Sequence, residues 1–138
     1  MESSVVLSIV YHPKVVRWVF SFAFTLAVEV PIFIALARLF CKKEIPIWRA
    51  ALAGAVGTCL THPNLWYTWF YLMRDVWHQP YWVYIFSGEL LVSVIESFTF
   101  YAIARPIRLS QAIAASFLAN AASYGVGNLL RYLDLWPI

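Results

Sequence analysis

One apolar stretch, Phe86–Arg105, constrains this chain most strongly, because it is long enough to cross a bilayer and yet carries two carboxylates. Its sequence is FSGELLVSVIESFTFYAIAR, and its acidic residues are Glu89 and Glu96. Seven residues make nearly two helical turns, so both side chains fall close to one line on a helix. Ionisable groups inside a membrane are costly and normally face a bundle interior or a water-filled cavity. The stretch therefore predicts a membrane helix whose acidic face points into a bundle.

The composition also favours a membrane protein. Of the 138 residues, 62% are hydrophobic and 12% are charged, whereas soluble domains have roughly 25% charged residues. The net charge is +3, and the basic residues lie at the ends of apolar runs, which is typical of interfacial anchors and not of a nucleic-acid surface. The two cysteines, Cys41 and Cys59, form no disulfide or thiol–metal pattern. The first residues include an acidic residue where a signal peptide is expected to be basic, so the sequence predicts no cleavable signal peptide.

Four apolar runs, each longer than the roughly 20 residues that cross a bilayer, predict an all-α integral membrane protein. They cover residues 15–40, 48–73, 81–104 and 111–133. The short links between them predict an up-down four-helix bundle, in which the whole chain, 1–138, forms one transmembrane domain. The two basic turns, 41–47 and 105–110, and their flanks carry six basic residues against four on the other side. We therefore expect these turns to be cytoplasmic and both termini to lie on the opposite side.

The first and third runs resemble each other. The segment VEVPIFIALAR of residues 28–38 aligns with IESFTFYAIAR of residues 95–105, and Glu29 and Glu96 each precede their arginine by nine residues. The second and fourth runs match more weakly, with His62 opposite Ser123. These matches predict two helical hairpins, residues 15–73 and 81–133, that are related as parallel repeats.

Every predicted helix brings a polar group to the middle of the membrane. At about 1.5 Å per residue from the basic side, Glu29 and Glu96 lie roughly 13 Å deep, His62 about 19 Å and Glu89 about 24 Å. Small and polar residues form a packing stripe on the second helix (Gly54, Thr58, Thr61, His62) and on the fourth (Ser116, Asn120, Ser123, Gly127). The predicted core site comprises Glu29, His62, Glu89, Glu96 and Asn120, supported by Thr58, Ser93, Ser97, Ser116 and Ser123.

These residues suggest a protein that binds a cation in its core. The combination of Glu29, His62 and Glu96 suits a divalent metal such as zinc, manganese or iron. The same groups can bind and pass protons, since carboxylate and histidine chains are the usual relay in membranes. If such a site opens in turn to both sides of the membrane, the protein is a transporter.

Two other functional classes are compatible with the sequence. Buried glutamate and histidine can activate water for hydrolysis, but no HExxH or GxSxG motif occurs, so the sequence leans away from an enzyme. The chain can also be an accessory subunit of a larger membrane complex, or a homo-oligomer, in which polar residues specify helix pairing. No haem is expected, because only one histidine is predicted to lie within the membrane and a bis-histidine site needs two. The lipid bilayer is the expected partner, and no nucleic acid is expected.

Overall fold

Four long helices make up most of the protein. The computed structural model describes residues 13–42 and 44–136, and these residues form helices and no strand. The helices are α1 (Pro13–Phe40), α2 (Ile47–Pro63), α3 (Tyr81–Ile103) and α4 (Leu109–Tyr132). They agree with the predicted runs to within two residues at every boundary except the end of the second run, so the four-helix, all-α prediction is confirmed. The first residues of the chain and Lys43, which entered the expectations about a signal peptide and a basic turn, lie outside the described residues.

The second run continues beyond α2, but not as a regular α-helix. After Pro63 the chain forms the wider π-helical turns Asn64–Trp69 and Leu72–Val76. Proline has no backbone N–H to donate, so the regular hydrogen-bond ladder is interrupted at this point. At the next position the Asn64 side chain caps a different carbonyl, because its Nδ2 donates to the Leu60 carbonyl oxygen at 2.7 Å.

The four helices form a closed ring. Each packs against its neighbours in the chain, and α4 also packs against α1, so α1 and α3 occupy opposite corners. The links 41–46 and 104–108 lie at one end of the bundle, which we call the turn end. Pro13, the 77–80 link and Tyr132 lie at the other, which we call the terminal end. Near the turn end, Gln111 of α4 contacts the last residue of α1, because its Nε2 donates to the Phe40 carbonyl oxygen at 3.4 Å.

A cluster of buried apolar residues fills the turn end, and we call it the apolar plug. At its centre the rings of Phe33 and Phe100 meet across the bundle, with centroids 3.7 Å apart. Small alanines surround the two rings and allow the helices to approach closely. The plug comprises Phe33, Ala37, Cys41, Ile45, Ala50, Ala53, Phe100, Ala104, Ile107, Ala112 and Ala115.

The outer surface carries many large apolar side chains. Leu39, Trp82 and Phe86 are each about 70% exposed. Two helices, α1 and α3, are long and apolar enough to cross a membrane. The sequence led us to expect four such helices. The regular α-helix of α2 ends after 17 residues, and α4 contains many small polar residues that face inward.

Candidate functional site

A cavity of about 300 Å³ occupies the terminal half of the bundle, and we call it the vestibule. All four helices contribute to its wall. Lys14, Tyr81 and Arg131 lie toward the terminal end, where the helices begin or end, whereas Glu29 and Glu96 lie deepest, next to the apolar plug. The vestibule is therefore a one-sided opening with an acidic base.

Glu29 is held at the base by hydroxyl donors from two neighbouring helices. Its side chain is 4% exposed. Ser123 Oγ of α4 donates to Oε1 at 2.6 Å, and Thr58 Oγ1 of α2 donates to Oε2 at 3.0 Å. Both carboxyl oxygens of Glu29 are therefore hydrogen-bonded.

Glu96 has an equivalent environment on the opposite corner. It is 1% exposed. Thr61 Oγ1 of α2 donates to Oε1 at 3.0 Å, whereas Asn120 Nδ2 of α4 donates to Oε2 at 2.6 Å, with Ser116 Oγ at 3.4 Å from the same oxygen. Glu29 and Glu96 interact electrostatically. We call the two carboxyl groups the dicarboxyl centre.

The hydroxyl groups around this centre each face two acceptors. Each hydroxyl has one hydrogen to donate. The alternative acceptor is the Gly54 carbonyl oxygen for Thr58 (3.1 Å), the Gly57 carbonyl oxygen for Thr61 (3.0 Å) and the Asn120 carbonyl oxygen for Ser123 (3.0 Å). Beside an ionised carboxylate the hydroxyl donates to it. Beside a protonated carboxyl group, the hydroxyl oxygen can accept a hydrogen bond from the carboxyl O–H. The hydroxyl can then donate its own hydrogen to the carbonyl oxygen of its helix. The centre is therefore hydrogen-bonded in either protonation state.

The same geometry suits a metal ion poorly. A metal ligand must offer a lone pair, but Asn120 presents its Nδ2, which donates both to Glu96 and to the Ser116 carbonyl oxygen at 3.0 Å. Among the residues that the structure describes, no three His, Cys, Asp or Glu side chains are placed to hold one ion. Glu29, His62 and Glu96 are thus not assembled as a ligand set, and the metal hypothesis gains no support.

His62 lines the vestibule but packs against aromatic rings. Its side chain is 7% exposed, and its ring centroid lies 5.3 Å from that of Phe22, 6.1 Å from that of Trp66 and 6.4 Å from that of Trp18. Its Nδ1 is buried and has no hydrogen-bond partner among the described residues. The sequence suggested a polar ladder through His62 to the glutamates, and no hydrogen bond joins His62 to them in the described part of the chain.

Glu89 lies on the vestibule wall, about 10 Å nearer the mouth than Glu96 by helical rise. It is half-buried. Within residues 13–42 and 44–136, no hydrogen bond or ion pair engages its carboxylate. Glu89 therefore differs from Glu29 and Glu96, whose oxygens are all occupied.

The supporting serines divide into two groups. Ser116 and Ser123 contact the dicarboxyl centre directly. Ser93 and Ser97 are buried nearby, but Ser97 Oγ donates to the Ser93 carbonyl oxygen at 2.5 Å, as Ser116 Oγ does at 2.9 Å. The first contact lies within α3 and the second joins α3 to α4, and among the described residues neither Ser93 nor Ser97 bonds a carboxyl group.

Sequence reasoning missed several residues of the site. Thr61 was recognised only as part of a packing stripe, although its spacing of three residues from Thr58 puts both hydroxyls on one face of α2. Trp66 and Trp136 line the vestibule, whereas tryptophans near the ends of apolar runs are typical of an interfacial aromatic belt. No sequence signal separates a belt tryptophan from one that faces a cavity.

We compared the chain with models of protein families, with curated proteins and with solved structures. None of the three comparisons finds a match.

Proposed function

We propose that this is a multi-pass membrane protein whose dicarboxyl centre takes up and releases protons at the base of a one-sided vestibule, as part of a cation transporter. The observation that carries the proposal is the set of hydroxyl groups poised between Glu29 or Glu96 and a helix carbonyl. Such groups allow a buried carboxyl to gain or lose a proton without leaving any polar atom unpaired, which would be costly away from water.

The distribution of side chains supports a bundle that crosses the membrane with all four helices. The polar residues of α2 and α4 face inward, including Thr58, Thr61, Ser116 and Asn120. Large apolar residues cover the outside of the same helices, for example Leu60 and Leu118, which are each 53% exposed. An exterior of this kind is stable in lipid and would be an aggregation hazard in water.

The burial pattern supports an internal repeat, with a one-residue correction to the alignment of the second and fourth runs. On α1 and α3 the corresponding positions are 67 residues apart: Ser21 with Gly88, Glu29 with Glu96, Phe33 with Phe100 and Ala37 with Ala104, and all eight are buried. On α2 and α4 they are 62 apart: Ala50 with Ala112, Ala53 with Ala115, Gly54 with Ser116, Gly57 with Ala119, Thr58 with Asn120 and Thr61 with Ser123, again all buried. The alignment that pairs His62 with Ser123 is shifted by one residue from this one. A shift of one residue moves a side chain by about 100° around a helix.

A repeat explains why two carboxyl groups meet at one depth. Glu29 bonds Thr58 of its own hairpin and Ser123 of the other, whereas Glu96 bonds Asn120 of its own hairpin and Thr61 of the other. Two neighbouring carboxylates repel each other, and a bound proton or cation relieves that repulsion. The centre is therefore suited to exchange one positive charge for another.

The apolar plug gives the proposal a direction. In the described conformation the vestibule opens toward the terminal end, and Phe33 and Phe100 close the other side. Transport requires a second conformation in which the plug parts and the mouth closes. With the turns in the cytoplasm, as the basic residues suggest, the vestibule faces away from the cytoplasm.

Infrared difference spectroscopy of the purified protein in lipid, with pH as the variable, tests the proposal. We expect a protonated-carboxyl band that appears and disappears reversibly with pH and that is altered in both Glu29→Gln and Glu96→Gln. Glu44→Gln is the matched control, because Glu44 is exposed in the first turn. Elemental analysis of the same samples measures bound metal.

A carboxyl band that stays constant across the pH range in the wild-type protein would overturn the proton-exchange proposal. Stoichiometric metal that is lost in both glutamine variants but kept in Glu44→Gln would replace it with the metal hypothesis.

A further inference from the structure

We propose that the vestibule binds a small organic cation with at least one N–H group, held between Glu89 and the aromatic wall above the dicarboxyl centre. This inference rests on the proposed function, because it names the cation that the centre exchanges for a proton. It concerns Glu89 and His62, two vestibule residues that the dicarboxyl centre does not use.

An unoccupied acceptor points to a ligand that donates hydrogen bonds. Glu89 lines the vestibule, and within the described ranges no residue donates to its carboxylate. A carboxylate only accepts hydrogen bonds, so a ligand that donates, such as a protonated amine, satisfies it. His62 also lines the vestibule, but its Nδ1 is enclosed by the protein, so His62 contributes its ring to the wall and no acceptor to the ligand.

The walls of the vestibule favour an organic cation over a hydrated metal ion. Seven phenylalanine, tryptophan and tyrosine residues contribute to them, including Phe24, Trp66, Phe70 and Tyr84. Aromatic faces attract positive charge, and a carboxylate beside an aromatic wall is a common arrangement for binding ammonium groups. A metal ion would need several oxygen or nitrogen ligands there.

The rings near the mouth already hold cations of the chain itself. Lys14 Nζ lies 5.5 Å from the ring centroid of Tyr67 and 5.8 Å from that of Phe70, and the Arg131 guanidinium carbon lies 4.8 Å from that of Trp136. The aromatic lining is therefore already oriented so that its faces accept positive charge.

The position of Glu89 couples such a ligand to the dicarboxyl centre. A positive charge beside Glu89 lies about 10 Å from Glu96 by helical rise. Like charges repel across that distance in a low-dielectric interior, so binding of the cation favours release of a proton from the centre. One positive charge enters and one leaves. The cavity, at about 300 Å³, is at the lower end of the size of small-molecule sites, which suits one ring with a short aminoalkyl arm.

Isothermal titration calorimetry in detergent tests the inference with three probes of similar size: benzylammonium, benzyl alcohol and benzoate. We expect binding of benzylammonium only, weakened about tenfold or more in Glu89→Gln and unchanged in Glu44→Gln. A second charged probe, benzyltrimethylammonium, has no N–H and is expected to bind more weakly than benzylammonium.

Equal binding of benzylammonium and benzyl alcohol would overturn the inference, as would binding that is unaffected by Glu89→Gln. Absence of heat with benzylammonium would also overturn it, provided that the infrared response of Glu96 to pH is retained in the same sample. That response tests the proposed function separately: its loss in the wild-type protein refutes proton exchange whether or not an amine binds. Retention of the Glu96 response in Glu89→Gln shows that this variant is folded.

Discussion

The two ends of the bundle are built by the same four helices, yet one is sealed and the other is open. At the turn end, alanines and two phenylalanine rings inclined by 30° pack closely. At the terminal end, the same helices enclose a vestibule with three glutamates and an aromatic wall. The difference lies in the side chains that face inward, because small apolar residues let helices close up whereas polar and large aromatic residues hold space between them.

The boundary between the two ends is one helical turn wide. Glu29 precedes Phe33 by four residues, and Glu96 precedes Phe100 by four, so each carboxyl group lies directly above a ring of the plug. On each of these two helices, the acidic base and the apolar seal are thus one turn apart. Four predictions test this contrast.

The largest difference is expected in access to water. In a background without Cys41 and Cys59, Ser21→Cys places a thiol on the vestibule wall, and Ala50→Cys places one in the plug. A small, water-soluble methanethiosulfonate should label Ser21→Cys readily and leave Ala50→Cys almost unlabelled, although residue 50 is only three residues from the start of α2. Mass spectrometry measures the labelling. Similar rates at the two positions would show that the turn end is not sealed.

The next largest effect is expected from removing a ring of the plug. Phe100→Ala leaves a cavity beside Phe33 and should destabilise the protein by about 3–5 kcal/mol. Unfolding in mixed micelles of increasing denaturing-detergent content measures the change. Phe98→Ala is the control, since Phe98 is 59% exposed on the same helix and should change stability by about 0.5 kcal/mol or less. An equal loss in both variants would contradict the plug.

A smaller effect is expected at the dicarboxyl centre. Asn120→Ala removes the Nδ2 that donates to Glu96 and to the Ser116 carbonyl oxygen. Leaving these buried acceptors with one donor fewer should cost about 1–3 kcal/mol. It should also shift the infrared carboxyl band assigned to Glu96. Asn128→Ala, on the exposed face of the same helix, should change neither quantity. An unshifted band in Asn120→Ala would contradict the hydrogen bond.

The smallest effect is expected from one methyl group at the boundary. A Cβ on Gly57 would lie 3.0 Å from Phe100 Cε1 and 3.3 Å from Glu96 Cγ, whereas a Cβ on Gly125 would meet nothing within 4 Å. Both substitutions favour the helix, so their difference isolates the crowding. Gly57→Ala should be less stable than Gly125→Ala by about 1 kcal/mol, measured by the same unfolding method. Equal stability would indicate that the boundary can expand.

The sequence predicted the helices well because apolar runs bounded by basic and proline-containing links leave a chain few alternatives. It also predicted that Glu29 and Glu96 share one depth, because their spacing to Arg38 and Arg105 is equal. The end of α2 was not predictable, since Pro63 is compatible with a kink, a helix end or a change to wider turns.

The partners of each polar residue were harder to predict. Ser93 and Ser97 lie on the same helix as Glu96, and so seemed its natural partners, but Ser97 donates to the Ser93 carbonyl oxygen within α3, and that oxygen also accepts from Ser116 of α4. Thr61, from a neighbouring helix, donates to Glu96 instead. Helical periodicity gives the face on which a side chain lies, but it does not give the rotation of one helix against the next.

By itself, the sequence determined that this chain forms four helices and that the first and third carry carboxyl groups, because length, hydropathy and residue spacing are local properties. Only the tertiary structure decided which hydrogen bonds hold Glu29 and Glu96 at the base of the vestibule, that no described residue donates to Glu89 above them, and that one end is closed. These features depend on which side chains meet across the bundle. That is set by how four helix surfaces pack together, and no single helix contains that information.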